Sequence, residues 1–230
     1  MTELLSKLFW AGLGTATMVA MTVLPGCART IDGVVAWTGG SAPSAMSHQP
    51  TTTPPAPGIE TTLPDHIPPN AFACFPGPPG TGIGTVAQVS DSAAPRITVS
   101  VPEGWTSAPG QRDVALALDG PDGLTGTVTI APTKQGPAAA FADYAAALAH
   151  SQPDLQVDTV GAQFCGYSSQ KLTGTFLGPS GTVEFADRIT HIWSNTSNYL
   201  VTLHLEGPED TPGFGAAKTA LMQDFAVVIP

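Results

Sequence analysis

The sequence contains few basic residues. Only 8 of its 230 residues are Lys or Arg, against 18 Asp or Glu, so the formal net charge is −10. Basic side chains form no cluster in any segment, and a surface this acidic repels nucleic acid and anionic headgroups. We therefore predict that nucleic acid is not a partner.

The sequence also lacks the common motifs of enzyme and cofactor sites. It has no C-x-x-C redox pair, no Gly-x-Ser-x-Gly elbow and no phosphate-loop lysine after the Gly-rich residues 80–84. His191, His204 and Asp187 could meet on neighbouring strands, but they are too few for a tetrahedral zinc site. We predict no catalytic residue, no cofactor and no metal ion. A Ser-His-Asp triad is defined by geometry, so it stays an alternative.

The amino-terminal segment has the features of an export signal. Residues 9–24 are almost wholly apolar or small and are shorter than the ~20 residues of a membrane span. They lead into Leu24-Pro25-Gly26-Cys27, which fits the bacterial lipoprotein box. We predict cleavage after Gly26, a diacylglyceryl thioether on Cys27, and acylation of the new terminus, for example by palmitate. An uncleaved anchor and an ordinary secretory signal remain as alternatives.

Two further cysteines remain once Cys27 is lipidated. Cys74 and Cys165 form an even pair in an exported chain, where thiols are oxidised. We predict a disulfide between them. Two buried free thiols are the alternative.

Composition divides the chain into four segments. Residues 1–26 are the signal peptide, and residues 27–73 are a Pro/Thr/Ser-rich disordered stalk that buries too little apolar surface to fold. Residues 74–95 are a strap or linker that docks on the domain, and residues 96–230 are the folded domain. The stalk would hold this domain away from the membrane.

Apolar periodicity predicts the elements of the domain. Alternating patterns predict strands at 97–101, 114–118, 124–130, 155–160, 164–176, 183–193, 199–205 and 225–229. Helical spacing predicts one helix that starts at Pro137 and another over residues 212–224. Short connections between the late strands require antiparallel pairing. The predicted fold class is α+β, with a single mainly antiparallel sheet packed against helices.

A family resemblance emerges from these segments in order. After the lipobox and stalk come Ile97-Thr98-Val99-Ser100-Val101-Pro102-Glu103-Gly104-Trp105, then Phe185-Ala186-Asp187-Arg188-Ile189, then Tyr199-Leu200-Val201-Thr202-Leu203. This arrangement resembles the Lpp–LpqN family of mycobacterial lipoproteins, whose domain is PsbP-like, over residues 96–230 and the signal peptide. The resemblance implies a lipid-anchored protein on the extracytoplasmic face of the cell membrane, with an accessory or interaction role. It supplies no catalytic residues, and the pair Cys74 and Cys165 is outside its pattern.

Three functional hypotheses follow. The first is a non-catalytic lipoprotein, not an enzyme, that binds envelope proteins or glycolipids as an interaction or accessory module. The second is a carrier of a lipid or small ligand, held in a cleft between sheet and helices. The third is an envelope hydrolase. Trp105, Trp193 and Tyr199 are candidates for a ligand or partner surface, and a plug in the core is the alternative for Trp105.

Overall fold

The computed structural model describes residues 56–76, 82–152 and 154–230. The predicted signal peptide, the lipidation site at Cys27 and the stalk as far as residue 55 lie outside the described residues. Within the described ranges, neither helix is long and apolar enough to cross a membrane.

The described residues form eleven strands and two α-helices. The strands are β1 (Phe72–Cys74), β2 (Ile83–Ala87), β3 (Arg96–Val101), β4 (Thr106–Pro109), β5 (Val114–Asp119), β6 (Thr125–Thr133), β7 (Gln156–Phe164), β8 (Tyr167–Gly178), β9 (Gly181–Trp193), β10 (Asn198–Pro208) and β11 (Ala226–Val228). The helices are α1 (Pro137–Ser151) and α2 (Phe214–Leu221).

The strands form two sheets, so the predicted single sheet packed against helices is wrong. A seven-stranded sheet has the order β4-β5-β6-β10-β9-β8-β7, and a four-stranded sheet has the order β1-β11-β3-β2. All pairings are antiparallel. The predicted strands at 97–101 and 225–229 exist, but they pair with each other and with β1 and β2. Alternation shows that a strand buries one face, but it does not identify the strand beside it.

The two helices cover opposite faces of the large sheet. Because neighbouring strands alternate in direction, β6 and β7 run parallel, and α1 is the crossover that joins them. It packs by Phe141 on a small apolar cluster with Leu172, Phe185 and Ile189. On the other face, α2 and the four-stranded sheet enclose the main core. Ile97, Val99, Val101, Val201, Leu203, Leu205, Phe214, Leu221, Val227 and Ile229 are among its buried side chains.

A tight hairpin divides the long strand that was predicted at 164–176. Phe164 pairs with Tyr167 across the two-residue turn Cys165-Gly166, and both turn residues have positive φ, +50° and +79°. This is the backbone that a two-residue β-hairpin requires. Asn-Gly and Asp-Gly are the usual signals for such a turn, so the Cys-Gly pair did not predict it.

Residues 56–76 run around one end of the large sheet, and we use the name strap for this segment from here on, not for residues 74–95. The strap begins on the α1 face, where Ser169 N donates to Gly58 O at 2.9 Å. Gly58 has a φ of +71° and passes so close to Gly161 of β7 that a Cβ on either glycine would strike backbone atoms. The strap therefore requires glycine at both positions.

Further along, the strap crosses to the smaller sheet. Asn195, in the β9–β10 turn, donates its Nδ2 to Ile67 O at 2.7 Å and accepts from Ile67 N at 3.2 Å. β1 then pairs with β11, and a disulfide joins Cys74 to Cys165 with Cα atoms 5.6 Å apart. The predicted disulfide is confirmed, and it fixes the strap to the β7–β8 turn.

Candidate functional site

Adjacent residues of β9 carry buried charges to opposite faces of the large sheet. Asp187 is fully buried and Arg188 is 1% exposed. Side chains alternate along a strand, so Asp187 faces α1 while Arg188 faces the end of α2. A buried charge must be paired and hydrogen-bonded, and each of the two has its own set of partners.

Asp187 lies at the centre of a polar network beneath α1. Tyr144 of α1 donates its hydroxyl to Asp187 Oδ2 at 2.7 Å, and His204 Nδ1 bonds Oδ1 at 2.5 Å from the adjacent strand. His204 Nε2 lies 3.2 Å from Glu206 Oε2, which continues the network to the edge of the site. These hydrogen bonds therefore join α1 to β9 and β10, within the apolar cluster that the helix covers.

The imidazole of His204 supplies the positive charge of this network. Burial works against a charged His204, but its hydrogen bonds to Asp187 and Glu206 and their charges outweigh burial and raise its pKa to about 9. The hydrogen bond from His204 lowers the pKa of Glu206. Burial and the Asp187 charge raise the pKa of Tyr144. At neutral pH the site thus holds a neutral phenol and an imidazolium between carboxylates.

Arg188 forms the corresponding network on the other face. Its guanidinium donates to Met222 O at 3.0 Å and Gln163 O at 3.3 Å, and pairs with Asp224 at 2.7 Å. Its Cζ also lies 4.9 Å from the centroid of the Phe164 ring. The partners come from β7 and the residues after α2, so Arg188 joins the end of this helix to the sheet edge.

An open groove lies beside Arg188, between the carboxyl-terminal part of α2 and strands β7 and β8. It has a volume of about 410 Å³. Its lining is Asp158, Val160, Lys171, Thr173, Asp187, Lys218, Thr219, Met222 and Gln223. Below we call it the α2 groove. This size is within the range of small-molecule sites.

The three predicted surface aromatics do not form one surface. Tyr199 is 2% exposed and donates its hydroxyl to Asp91 at 2.8 Å, so its ring lies in the core and is closed to a partner. Trp105 and Trp193 are half-buried and pack against the main core. A Cβ on Gly120 would lie 2.4 Å from the Trp105 ring, which shows how closely that ring packs on the turn.

A more exposed aromatic pair flanks the disulfide. Phe72 is 55% exposed and Phe75 is 72% exposed, and their rings meet edge-on with centroids 4.9 Å apart. We call them the strap aromatics. The sequence shows two phenylalanines around Cys74, but their exposure depends on β1 being an edge strand of the smaller sheet. That placement was not predicted.

The two strand histidines named in the sequence analysis, His191 and His204, form hydrogen bonds on the α1 face. His191 Nε2 lies 2.9 Å from Gln135 O, at the start of α1, whereas His204 is bonded to Asp187 and Glu206. In the described ranges, no three His, Cys, Asp or Glu side chains are arranged to hold a metal ion.

Comparison with known proteins gives a fold and no family. Neither the family models nor the curated proteins yielded a match. Among solved structures, the fold matches LpqN of Mycobacterium tuberculosis, described as involved in cell envelope biogenesis. The TM-score is 0.51 and the identity 18%, over 64% of this chain and 91% of that one. A protein of unknown function from Pseudomonas aeruginosa, PA94, aligns with a TM-score of 0.34 at 14% identity, over 59% and 91% of the two chains. The chain has a distant LpqN-like fold.

Proposed function

We propose that this protein is a non-catalytic lipoprotein of the cell envelope that acts as an interaction or accessory module. The fold carries the proposal, since it resembles LpqN, a protein involved in cell envelope biogenesis. The lipobox that ends at Cys27 supports attachment to the extracytoplasmic face of the membrane. Lipid chains of this kind would hold the protein firmly, because each buried methylene contributes ~0.8 kcal/mol and two chains suffice for stable anchoring.

The strap aromatics are the surface that best suits a protein partner. Aromatic residues are enriched at the centre of protein interfaces, where they bury much area with few rotatable bonds. The disulfide at Cys74 and the pairing of β1 with β11 hold Phe72 and Phe75 in place before a partner binds. A surface that is already ordered loses less conformational entropy on binding.

Membrane attachment can be tested at one residue. Cys27→Ala removes the thiol that would carry the diacylglyceryl group, so the variant should leave the membrane fraction on mild detergent partitioning. The unchanged chain should stay with the membrane. A variant that remains membrane-bound would instead support an uncleaved span.

The partner is tested by crosslinking the lipidated protein in living cells and identifying co-purified proteins. We expect one envelope protein in stoichiometric amount, and its recovery should fall at least tenfold with Phe75→Ser. Leu177→Ser is the matched control, because Leu177 is also an exposed apolar residue, 53% accessible, on the distant β8–β9 hairpin. Equal recovery with both variants would remove the strap aromatics from the proposal.

The α2 groove supports the second candidate, a carrier of a lipid or small ligand. It lies between a helix and the sheet, where such a cleft was predicted, and its lining includes the apolar side chains of Val160 and Met222. A lipid that co-purifies in stoichiometric amount, without a protein partner, would favour the carrier over the interaction module.

A further inference from the structure

The α2 groove combines an apolar floor with an unusual local charge. The whole chain has a formal net charge of −10, and its described residues include three lysines, Lys134, Lys171 and Lys218. Two of these three, Lys171 and Lys218, line this one groove. Most of the lysine ammonium groups of the described residues therefore lie around a single cleft.

The position of Lys171 follows from the sheet register. Lys171 of β8 lies opposite Val160 of β7 and opposite Arg188 of β9, so all three point to the α2 face. Lys171 is half-buried, and burial followed by the charge of Arg188 lowers its pKa, with Asp224 opposing them. Arg188 is bonded to Asp224 and to two carbonyl groups, so Lys171 is the cation of this pair that a ligand in the groove can reach.

The nearby carboxylates do not neutralise the two lysines. Asp158 lines the groove, but no ion pair joins it to either lysine in the part of the chain that the structure describes. Asp187 borders the groove, but its side chain points to the α1 face, where its carboxylate is bonded to Tyr144 and His204. Asp224 acts on Lys171, but its carboxylate is paired with Arg188 at 2.7 Å. The side chains free to face the groove thus carry two ammonium groups and one carboxylate.

A partly dehydrated ammonium group without a counter-ion is unfavourable, and an anion in the groove would relieve it. Val160, which is 57% exposed, offers apolar surface beside it, and the buried Met222 contributes to the lining. An amphiphile matches both properties, because its chain would cover Val160 and its headgroup would pair with Lys171. A neutral ligand would leave the lysine unpaired, and a small inorganic anion would leave the apolar wall exposed.

We propose that the α2 groove binds a single-chain lipid with an anionic headgroup, of the fatty-acid class, with its carboxylate on Lys171. Lys218 supplies a second ammonium group, which we expect to contribute less, since its Nζ also lies over the Phe214 ring, 5.8 Å from the centroid. This proposal rests on the carrier function, the second candidate above, and names the class of its ligand. It does not depend on a protein partner. The interaction module and the groove can therefore fail independently.

The test uses the full lipidated chain in phosphatidylcholine vesicles. The probe is dodecanoate with a photoreactive diazirine on its chain, and its neutral alcohol analogue is the control ligand. Labelled peptides are mapped by mass spectrometry. We expect dodecanoate to label the segments around Val160 and Met222, at least tenfold more than the alcohol does at equal concentration.

Matched variants separate charge from apolar surface. Lys171→Gln should reduce labelling by dodecanoate at least tenfold and Lys218→Gln about threefold, while Lys134→Gln, outside the groove, should leave it unchanged. Val160→Asp should abolish labelling of the groove, whereas Val157→Asp should not. Val157 is on the same strand, is 42% exposed and points to the opposite face.

Two results would overturn the proposal. One is labelling scattered over the protein without enrichment at the groove. The other is labelling of the groove that Lys171→Gln and Lys134→Gln reduce equally. Thermal unfolding of each variant, within a few degrees of the unchanged chain, shows that a loss of labelling is not a loss of fold.

Discussion

The two faces of the seven-stranded sheet are stabilised in different ways. The α2 face encloses the main core, closed by the second sheet, and its buried charge, Arg188, lies at the margin beside Phe164 and Phe225. The α1 face has only a small apolar cluster, and its charge network lies under the helix itself. Where apolar burial is scarce, a polar network can fix a helix in one position, because all its members are satisfied.

The strap joins these two faces, so its disulfide should have the largest effect. Replacing Cys74 and Cys165 by Ala opens a loop with a sequence separation of 91 residues. The chain-entropy model gives a loss of about 4 to 5 kcal/mol in unfolding free energy for a loop of this length. Chemical denaturation of the variant and the oxidised parent measures the difference. A loss below about 1 kcal/mol would mean that the strap is held by its hydrogen bonds alone.

Removing the buried charge on the α2 face should cost nearly as much. Arg188→Leu leaves the carbonyls of Met222 and Gln163 without a donor and deprives Asp224 of its partner. Breaking a buried pair in this way lowers the unfolding free energy by about 3 kcal/mol. Arg96→Leu is the matched control, because the Arg96 guanidinium is exposed, and it should cost less than about 1 kcal/mol. Urea titration of both variants measures the two losses, and equal losses would contradict the role given to Arg188.

The α1 face should respond to pH. The pKa of His204 is raised from 6.5 to about 9, so its stabilising effect is complete below about pH 6.5 and is lost as the pH rises through 9. At about 1.4 kcal/mol per pKa unit, a rise from 6.5 to about 9 corresponds to about 3.5 kcal/mol. Because the imidazole is 23% exposed, solvent screening should reduce the loss across this window to about 2 to 3 kcal/mol. His204→Gln should show a much flatter profile. Equal slopes for parent and variant between pH 6 and 10 would contradict the imidazolium assignment.

The hydroxyl that links α1 to the network should have the smallest of these effects. Tyr144→Phe keeps the ring but removes the donor to Asp187, which retains His204. The expected loss is about 1 to 2 kcal/mol. Hydrogen exchange should show faster opening of α1 than of α2 in this variant. Uniform acceleration over both helices would mean that the two faces are not separately stabilised.

The sequence predicts many of the individual strands and helices, but it does not predict which strands pair with each other. The alternation at Tyr199, Val201, Leu203 and Leu205 identifies β10, and Pro137 marks the start of α1. The second sheet escaped prediction because β1, β2 and β11 are short, and their pairing joins residues far apart in the chain. β4 was also missed, since Thr106–Pro109 is wholly exposed and has no apolar alternation.

Predicting the candidate sites also requires knowledge of the strand pairing, except for the disulfide. The two cysteines that remain once Cys27 is lipidated predicted the disulfide without any knowledge of strand register. The groove depends on Lys171 facing the same side as residues of α2, which the register of β7, β8 and β9 decides. Tyr199 was predicted to lie at a ligand or partner surface because aromatic residues are common there, but its side chain lies on the buried side of β10.

The most direct test of the interaction module is photocrosslinking from a single position in living cells. A photoreactive amino acid is placed at Phe75, and in a parallel strain at Leu177, in the full chain with Cys27 intact. Our account predicts a crosslink to one envelope protein from position 75 and none from position 177. Equal crosslinking from both positions, or none from position 75, would contradict it.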